Sequence, residues 1–389
     1  MKVLSIGSDR NIFSGGSEAR ERIIKYGKFA EELHVIIFNS RFANHGSPFT
    51  IQKISRNTWV YPTNSKNRWF YIFDAYKIAK NIIHNSKFMI HNSLITCQDP
   101  FESGFAGWLI KRKFKIPLQL QAHTDFLSPY FRKESWLNKI RVLIAKFLVC
   151  RAGCIRVVSE RIKNSLSRSA GCKLRFTVLP IFVDAEAIKN TPIKADLHEK
   201  YPHFDFIILM ASRLTKEKNI GLAINAMAEV VKKHSKAGLI IVGDGPGRNS
   251  YSLLVTRYSL QNNVIFEDAV PFEILISYYK TADLFLLTSN YEGYGRSVVE
   301  AMAAGCAVVM TDVGLAGEIL INKKDGLVVP IENGEKLKDA IISLIENKDL
   351  RENLVKNARD IFNFWPSEGD YLKKYLNCWA ACKKQKTSF

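Results

Sequence analysis

Short apolar runs alternate with stretches of helical spacing along almost the whole chain. In the first half the runs are 2-KVLSIG-7, 33-LHVIIF-38, 87-KFMIHN-92, 116-IPLQLQAH-123, 154-CIRVVS-159 and 176-FTVLP-180. The second half repeats the grammar with 206-FIILMAS-212, 238-GLIIVG-243, 263-NVIFE-267, 283-DLFLLT-288, 306-CAVVMT-311 and 326-GLVVP-330. Near-continuous apolar strands separated by helical segments are what a parallel sheet buried on both faces requires. The pattern predicts two doubly wound α/β domains over residues 1–184 and 185–366. The polar stretch 184-DAEAIKNTPIKADLHEKYPHFD-205, with two prolines and no strand, is expected to connect them. After Pro366, 367-SEGDYLKKYLNCWAACKK-384 has helical spacing and a Ser at its start, which predicts a helix over the C-terminal residues 367–389 that packs back on the first domain.

In an open parallel sheet the ligand sits beyond the carboxyl ends of the strands, and polar residues recur there. Gly15 and Gly16 lie between the first strand and a helix, and His123 ends the run at 116–123. Arg213 follows 206–212, with Lys218 five residues on; 243-GDGPG-247 ends another strand; Asp312, Gly314 and Glu318 follow 306–311. In 289-SNYEGYGRSVVEAMAAG-305, Gly293 and Gly295 suit a tight turn ahead of an Ala-rich helix. Ser297 with Glu300 reads as a capping box that starts the helix near Val298. Such a helix N-terminus offers backbone N–H groups and a dipole to an anion, with Glu292 and Glu300 beside it. Each feature also has a plain reading: turn chemistry for the glycines, a structural hydrogen bond for His123, helix capping for Glu300 and solvated charge for Arg213, Lys218 and Glu292.

Charge narrows the choice of partner. Lys and Arg number 56 against 37 Asp and Glu, a net charge of +19. That balance favours a polyanion such as phosphorylated ligands, an anionic lipid surface or nucleic acid. Nucleic acid is not expected, because no helix-turn-helix, zinc-finger or RRM pattern is present. Two basic-apolar segments, 108-WLIKRKFKI-116 and 135-SWLNKIRVLIAKFLVCRA-152, either lie on an anionic leaflet or pack their apolar faces on the sheet and leave Lys and Arg in water. The seven cysteines are odd in number and contain no C-x-x-C pair, so neither a disulfide framework nor a zinc site is expected, and a reducing cytoplasm fits. No run of 18 apolar residues occurs and MKVLSIG reads directly as a strand, so neither a membrane span nor a signal peptide is expected.

Taken in order, 211-ASRLTKEKN-219, 241-IVGDGP-246, the E-x7-E element 292-EGYGRSVVE-300 with 301-AMAAGCAVV-309, 311-TDVGLAGE-318 and 325-DGLVVP-330 resemble the C-terminal half of retaining glycosyltransferases of family 4. With the Gly-Gly loop and 154-CIRVVSE-160, the resemblance covers nearly the whole chain. It implies the GT-B fold, two Rossmann-like domains facing across a cleft, the second binding the nucleotide-sugar and the first on the acceptor side. It implies transfer of a sugar with retention from a UDP- or GDP-sugar to a glycan or lipid-linked acceptor, in surface polysaccharide or glycolipid biosynthesis. Under it Glu300 holds the donor's ribose, Glu292 the transferred sugar, and the backbone of Gly293, Tyr294, Gly295 and Arg296 the diphosphate. Arg213 and Lys218 neutralise that diphosphate, His123 sits near the reacting sugar, and Gly15 and Gly16 approach the donor. The catalytic residues it implies are thus Glu292, His123, Arg213 and Lys218. No metal is implied, and no D-x-D motif occurs. A cytoplasmic protein, at the inner face of the membrane, follows. Arg296 stands where the family is usually apolar, and Asp268 where it usually has glycine. Sugar-nucleotide 2-epimerases share the fold and donors, and products formed from donor alone separate them from transferases.

Overall fold

The computed structural model describes residues 1–41, 48–89 and 92–383. They form two compact units. The first comprises Met1–Leu127, Ser135–Pro180 and the C-terminal stretch from Gly369; the second comprises Ser128–Glu134 and Ile181–Glu368.

The first unit is built on a sheet of β1 (Lys2–Gly7), β2 (Glu32–Ile37), β3 (Gln52–Ser55), β4 (Thr58–Pro62), β5 (Ser93–Cys97), β6 (Leu118–Ala122), β7 (Cys154–Val157) and β8 (Phe176–Val178). Their order is β3-β4-β2-β1-β5-β6-β7-β8, and only β3 runs antiparallel to its neighbour. Leu4, Ile6, Ile36, Ile95, Leu118 and Leu120 pack in one core under the helices Tyr71–Asn85 and Glu102–Phe114. The edge hairpin β3–β4 was not visible as an apolar run, because β3 (QKIS) is short, mostly polar and without a buried residue, while β4 (TWVYP) is short and buries only alternate residues.

The strand expected at 87–92 is displaced. Lys87 has φ 47° just after the helix Tyr71–Asn85, so the chain is still turning there, and the strand that pairs with β1 begins at Ser93. Ile90 and His91 of that expected strand lie outside the described residues.

The disulfide expectation also fails. Cys150 pairs with Cys172 and Cys154 with Cys382, with Cα–Cα separations of 5.8 and 5.3 Å. The partners are 22 and 228 residues apart, so tertiary structure rather than any local spacing brings them together. Cys97, Cys306 and Cys378 are free and buried.

The C-terminal helix, Glu368–Lys383, joins the first unit. Tyr371, Tyr375, Cys378, Trp379 and Cys382 recur at helical spacing and are all buried. Tyr375 stacks on Tyr26 with ring centroids 4.0 Å apart, and Trp379 meets both rings edge-on.

The second unit holds β9 (Phe206–Ala211), β10 (Ala237–Val242), β11 (Val264–Glu267), β12 (Leu284–Leu287), β13 (Ala307–Thr311) and β14 (Leu327–Val329), in the order β11-β10-β9-β12-β13-β14 and all parallel. Strand order reverses between β9 and β12, the kind of switch point beyond whose carboxyl ends open parallel sheets bind ligands. Residues 184–205 are not a free connector. They carry the short helices Ala185–Asn190 and Leu197–Lys200, whose Ile188 and Leu197 are buried. Asp283 accepts from the Ile207 N–H and meets His198 at 3.1 Å, which ties this stretch to the start of β9. Among the described residues no helix is long and apolar enough to cross a membrane.

Truncating Trp379 to Ala should cost the first unit about 3–5 kcal/mol, the range for deleting a buried aromatic side chain. The denaturant midpoint of that unit checks this, and an unchanged midpoint would mean the C-terminal helix is not integral to it.

Candidate active site

The loop after β9 carries Arg213 and Lys218, and the loop after β12 carries Glu292, so the two loops that flank the reversal of strand order hold the predicted charges. Hydrogen bonds from backbone and side chains bind these loops together. Thr288 Oγ1 donates to the Lys218 carbonyl at 2.8 Å, the Asn290 N–H donates to the Glu217 carbonyl at 2.8 Å, and Asn219 Nδ2 donates to Asn290 Oδ1 at 2.9 Å. Asn219 takes φ 44°, a left-handed conformation that asparagine tolerates, and this ends the turn at Lys218.

Held this way, Lys218 Nζ lies 2.5 Å from Glu292 Oε1, and both side chains are largely buried. Ser289 Oγ donates to the same carboxylate oxygen at 2.8 Å. A third loop, after β13, supports the arrangement: Thr311 Oγ1 donates to the Ser289 carbonyl at 2.6 Å and the Leu315 N–H to the Tyr294 carbonyl at 2.9 Å. Gly314 permits this approach. Its φ is 53°, and a Cβ there would stand 2.3 Å from the Tyr294 carbonyl oxygen and 3.0 Å from Glu292 Cβ.

Arg213 is mostly exposed and pairs with Glu217 at 3.2 Å. The 243–247 glycines are more than turn chemistry. Gly243 has φ 135° and a Cβ on it would fall 2.1 Å from the Ser212 carbonyl oxygen, so the loops after β9 and β10 touch backbone to backbone. At the edge of that loop Arg248 pairs with the exposed Asp268 at 2.7 Å.

The helix after Glu292 starts two residues earlier than a capping box would place it. It spans Arg296–Ala304, and its N-cap is Gly295 at φ 97°, with no side chain capping it. Ser297 is therefore inside the first turn. Glu300 is buried, and its carboxylate is met by Arg296 at 2.6 Å and by the Tyr279 hydroxyl at 3.2 Å. Gly293, Tyr294 and Gly295 are buried in the loop leading to this N-terminus, whose unsatisfied N–H groups and dipole favour a negative charge. Asp312 and Glu318 are exposed.

The remaining predicted residues belong to the first unit. Gly15 and Gly16 form an exposed loop between the 3₁₀ turn Arg10–Phe13 and the helix Glu18–Gly27, with Gly16 at φ 73° and open space around both Cα atoms. His123 follows β6, half-buried, with Nε2 2.9 Å from Gln121 Oε1. Arg156 donates to that same oxygen at 2.9 Å, and Gln121 Nε2 donates to Thr96 Oγ1 at 2.9 Å. Gln121 thus presents only an acceptor to His123, which assigns the imidazole proton to Nε2 and leaves Nδ1 as an acceptor. Burial, with the Arg156 and Arg22 charges, pushes the His123 pKa down to about 3.

Ser289, Thr288, Asn219, Gln121 and Arg156 were not among the residues singled out by sequence. For Gln121 and Arg156 there was a signal, since both interrupt otherwise apolar strands and a buried polar group needs partners.

Comparison with known proteins gives the same picture over nearly the full length. The family models described as "Glycosyltransferase Family 4" and "Glycosyl transferases group 1" match residues 26–187 and 194–361. The alpha-D-kanosaminyltransferase of Streptomyces kanamyceticus is 26% identical over 272 residues, 67% of this chain and 70% of that one. The alpha-monoglucosyldiacylglycerol synthase of Streptococcus pneumoniae is 28% identical over 271 residues, 67% of this chain and 60% of that one. Among solved structures, sucrose-phosphate synthase from Thermosynechococcus elongatus superposes with a TM-score of 0.81 at 21% identity, covering 98% of this chain and all of that one, a likeness of fold. The two parallel-sheet units are those of the GT-B fold, and the chain belongs to the group 1, family 4 glycosyltransferases, enzymes that use nucleotide-sugar donors.

Proposed function

We propose that the protein moves a sugar, with retention of its anomeric configuration, from a UDP- or GDP-sugar to a glycan or lipid-linked acceptor in surface polysaccharide or glycolipid synthesis. The observation that carries this reading is the Lys218–Glu292 pair at the strand-order reversal of the second unit. Breaking a sugar-phosphate bond develops positive charge at the anomeric carbon and negative charge on the departing diphosphate, so oriented charge is the main service required. In the ligand-free chain Lys218 and Glu292 neutralise each other. A bound diphosphate takes Lys218 as its partner, together with Arg213 and the N–H groups from Gly293 to Arg296. The Glu292 carboxylate then accepts from hydroxyls of the transferred sugar. Glu300 accepts from the ribose diol, sharing its oxygens with Arg296 and Tyr279. This arrangement stabilises the leaving group with cationic side chains and backbone, and needs no metal.

We assign the donor nucleotide to the second unit and the acceptor side to the first. There His123 offers a neutral imidazole acceptor for a hydroxyl, and the Gly15–Gly16 loop offers exposed backbone. Two relatives named as alpha-glycosyl transferring enzymes, one of them acting on diacylglycerol by its name, support retention and a lipid-linked acceptor. A site of action at the inner face of the cell membrane goes with that acceptor.

Glu292→Gln should leave the chain folded, with a lowered melting temperature because Lys218 loses its counter-charge, and cut kcat steeply, because its contact is with the transferred sugar; wild-type turnover would remove Glu292 from the mechanism. Lys218→Ala should lose about 2–4 kcal/mol of transition-state stabilisation, the scale for one preorganised charge stabiliser. EDTA should leave the rate unchanged, and a strict Mn²⁺ or Mg²⁺ requirement would contradict metal-free transfer.

His123 should remain neutral across the working pH range. Its folded pKa of about 3 lies below the ordinary value near 6.5, so protonation favours the unfolded chain in that window. Its contribution to stability is full above about pH 6.5 and declines as pH falls toward 3. NMR titration of the His123 ring should show no protonation step near neutrality, and a step near pH 6.5 would overturn the assignment.

A further inference from the structure

The helix Trp136–Val149 of the first unit buries one face and leaves the other bare. Asn138, Val142, Ala145, Leu148 and Val149 are buried against the unit. On the opposite face Trp136, Ile140, Leu143 and Phe147 follow one another at intervals of four, three and four residues, one line along a helix. Their exposures are 60%, 41%, 68% and 38%. A soluble surface seldom lines up four large apolar side chains in this way.

The charges beside this line are of one sign. Lys139, Lys146 and Arg151 are exposed next to it, Arg141 is paired with Glu102, and the helix contains no acidic residue. The neighbouring helix Glu102–Phe114 extends the surface: Trp108 meets Phe147 edge-on at 5.1 Å, Arg112 lies over the Trp108 ring, and Arg112, Lys113 and Lys115 are exposed at its end. Arg151 in turn covers the Phe147 ring at 3.7 Å. Aromatic and aliphatic side chains centred between cations match the boundary of an anionic bilayer, where the apolar line enters the acyl region and the cations meet headgroup phosphates. The helix is too short to span and its other face is already packed, so it lies in the plane of the surface.

We infer that the exposed face of helix Trp136–Val149, with the basic end of helix Glu102–Phe114, docks the protein on an anionic lipid surface. This names the surface behind the membrane contact proposed above, and it holds whatever sugar is moved, because binding to lipid is read without turnover. The second copy of a dimer is the competing occupant.

Co-sedimentation with phosphatidylcholine vesicles, with and without roughly a third phosphatidylglycerol, tests it. The wild-type chain should bind the anionic vesicles at least ~10-fold better than neutral ones, with binding weakened by salt. The Trp136 emission should shift to the blue on binding. Trp136→Ser with Leu143→Ser, and separately Lys139→Glu with Lys146→Glu, should each reduce binding by ~10-fold or more, with melting temperature unchanged. Equal binding to neutral vesicles, no binding, or wild-type binding by the serine pair would overturn the inference. So would a concentration-dependent dimer, dissolved by the serine pair, in a protein that ignores vesicles.

Discussion

Lys218 and Glu292 are each largely buried, and a buried charge is tolerable only with its partner in place. Much of the second unit's loop structure follows from keeping them together. Thr288, Asn219 and Asn290 fix the main chain around Lys218, while Ser289, Thr311 and Gly314 fix the chain around Glu292. No strand carries either charge. They come from loops that part where strand order reverses, and side chains and glycines then draw those loops back into contact. A pair made this way is positioned by the loops themselves, since both charges are fixed through contacts within the second unit.

The first unit solves a related problem with neutral groups. Arg156 is a cation inside a sheet whose terminal nitrogens donate to Gln121, the Leu179 carbonyl and Tyr371, with its guanidinium over the Tyr375 ring. Two of these partners belong to the C-terminal helix. The last described residues of the chain therefore help to hold Arg156, Arg156 holds Gln121, and Gln121 sets the orientation of His123. The Cys154–Cys382 disulfide joins the same helix to the strand that bears Arg156. A change far along the C-terminal helix has a physical route to the imidazole.

Strands buried on both faces were legible because continuous apolar runs such as 206–212 and 306–311 admit few other readings. The edge hairpin β3–β4 was not, since a half-exposed strand dilutes that signal. Lys87 shows why one strand was misplaced: a left-handed residue is invisible in an apolar pattern. At the site, Glu292, Lys218 and Arg213 stood out by order and spacing, but their pairing did not, because it depends on loops 70 or more residues apart meeting at the sheet end. Gly295 took the capping role that Ser297 and Glu300 suggested, since the chain needs φ 97° there. The disulfides had no local signature at all.

The account stands on Lys218 exchanging Glu292 for a diphosphate. Isothermal titration of UDP, GDP and ADP into the full chain and into Lys218→Ala measures that exchange most directly. One nucleoside diphosphate should bind the wild-type chain, and the variant, still folded at the temperature of titration, should bind it at least ~10-fold more weakly, the loss expected for a charge-assisted contact to phosphate. Binding of none of the three by well-folded protein, or equal affinity in the variant, would contradict it.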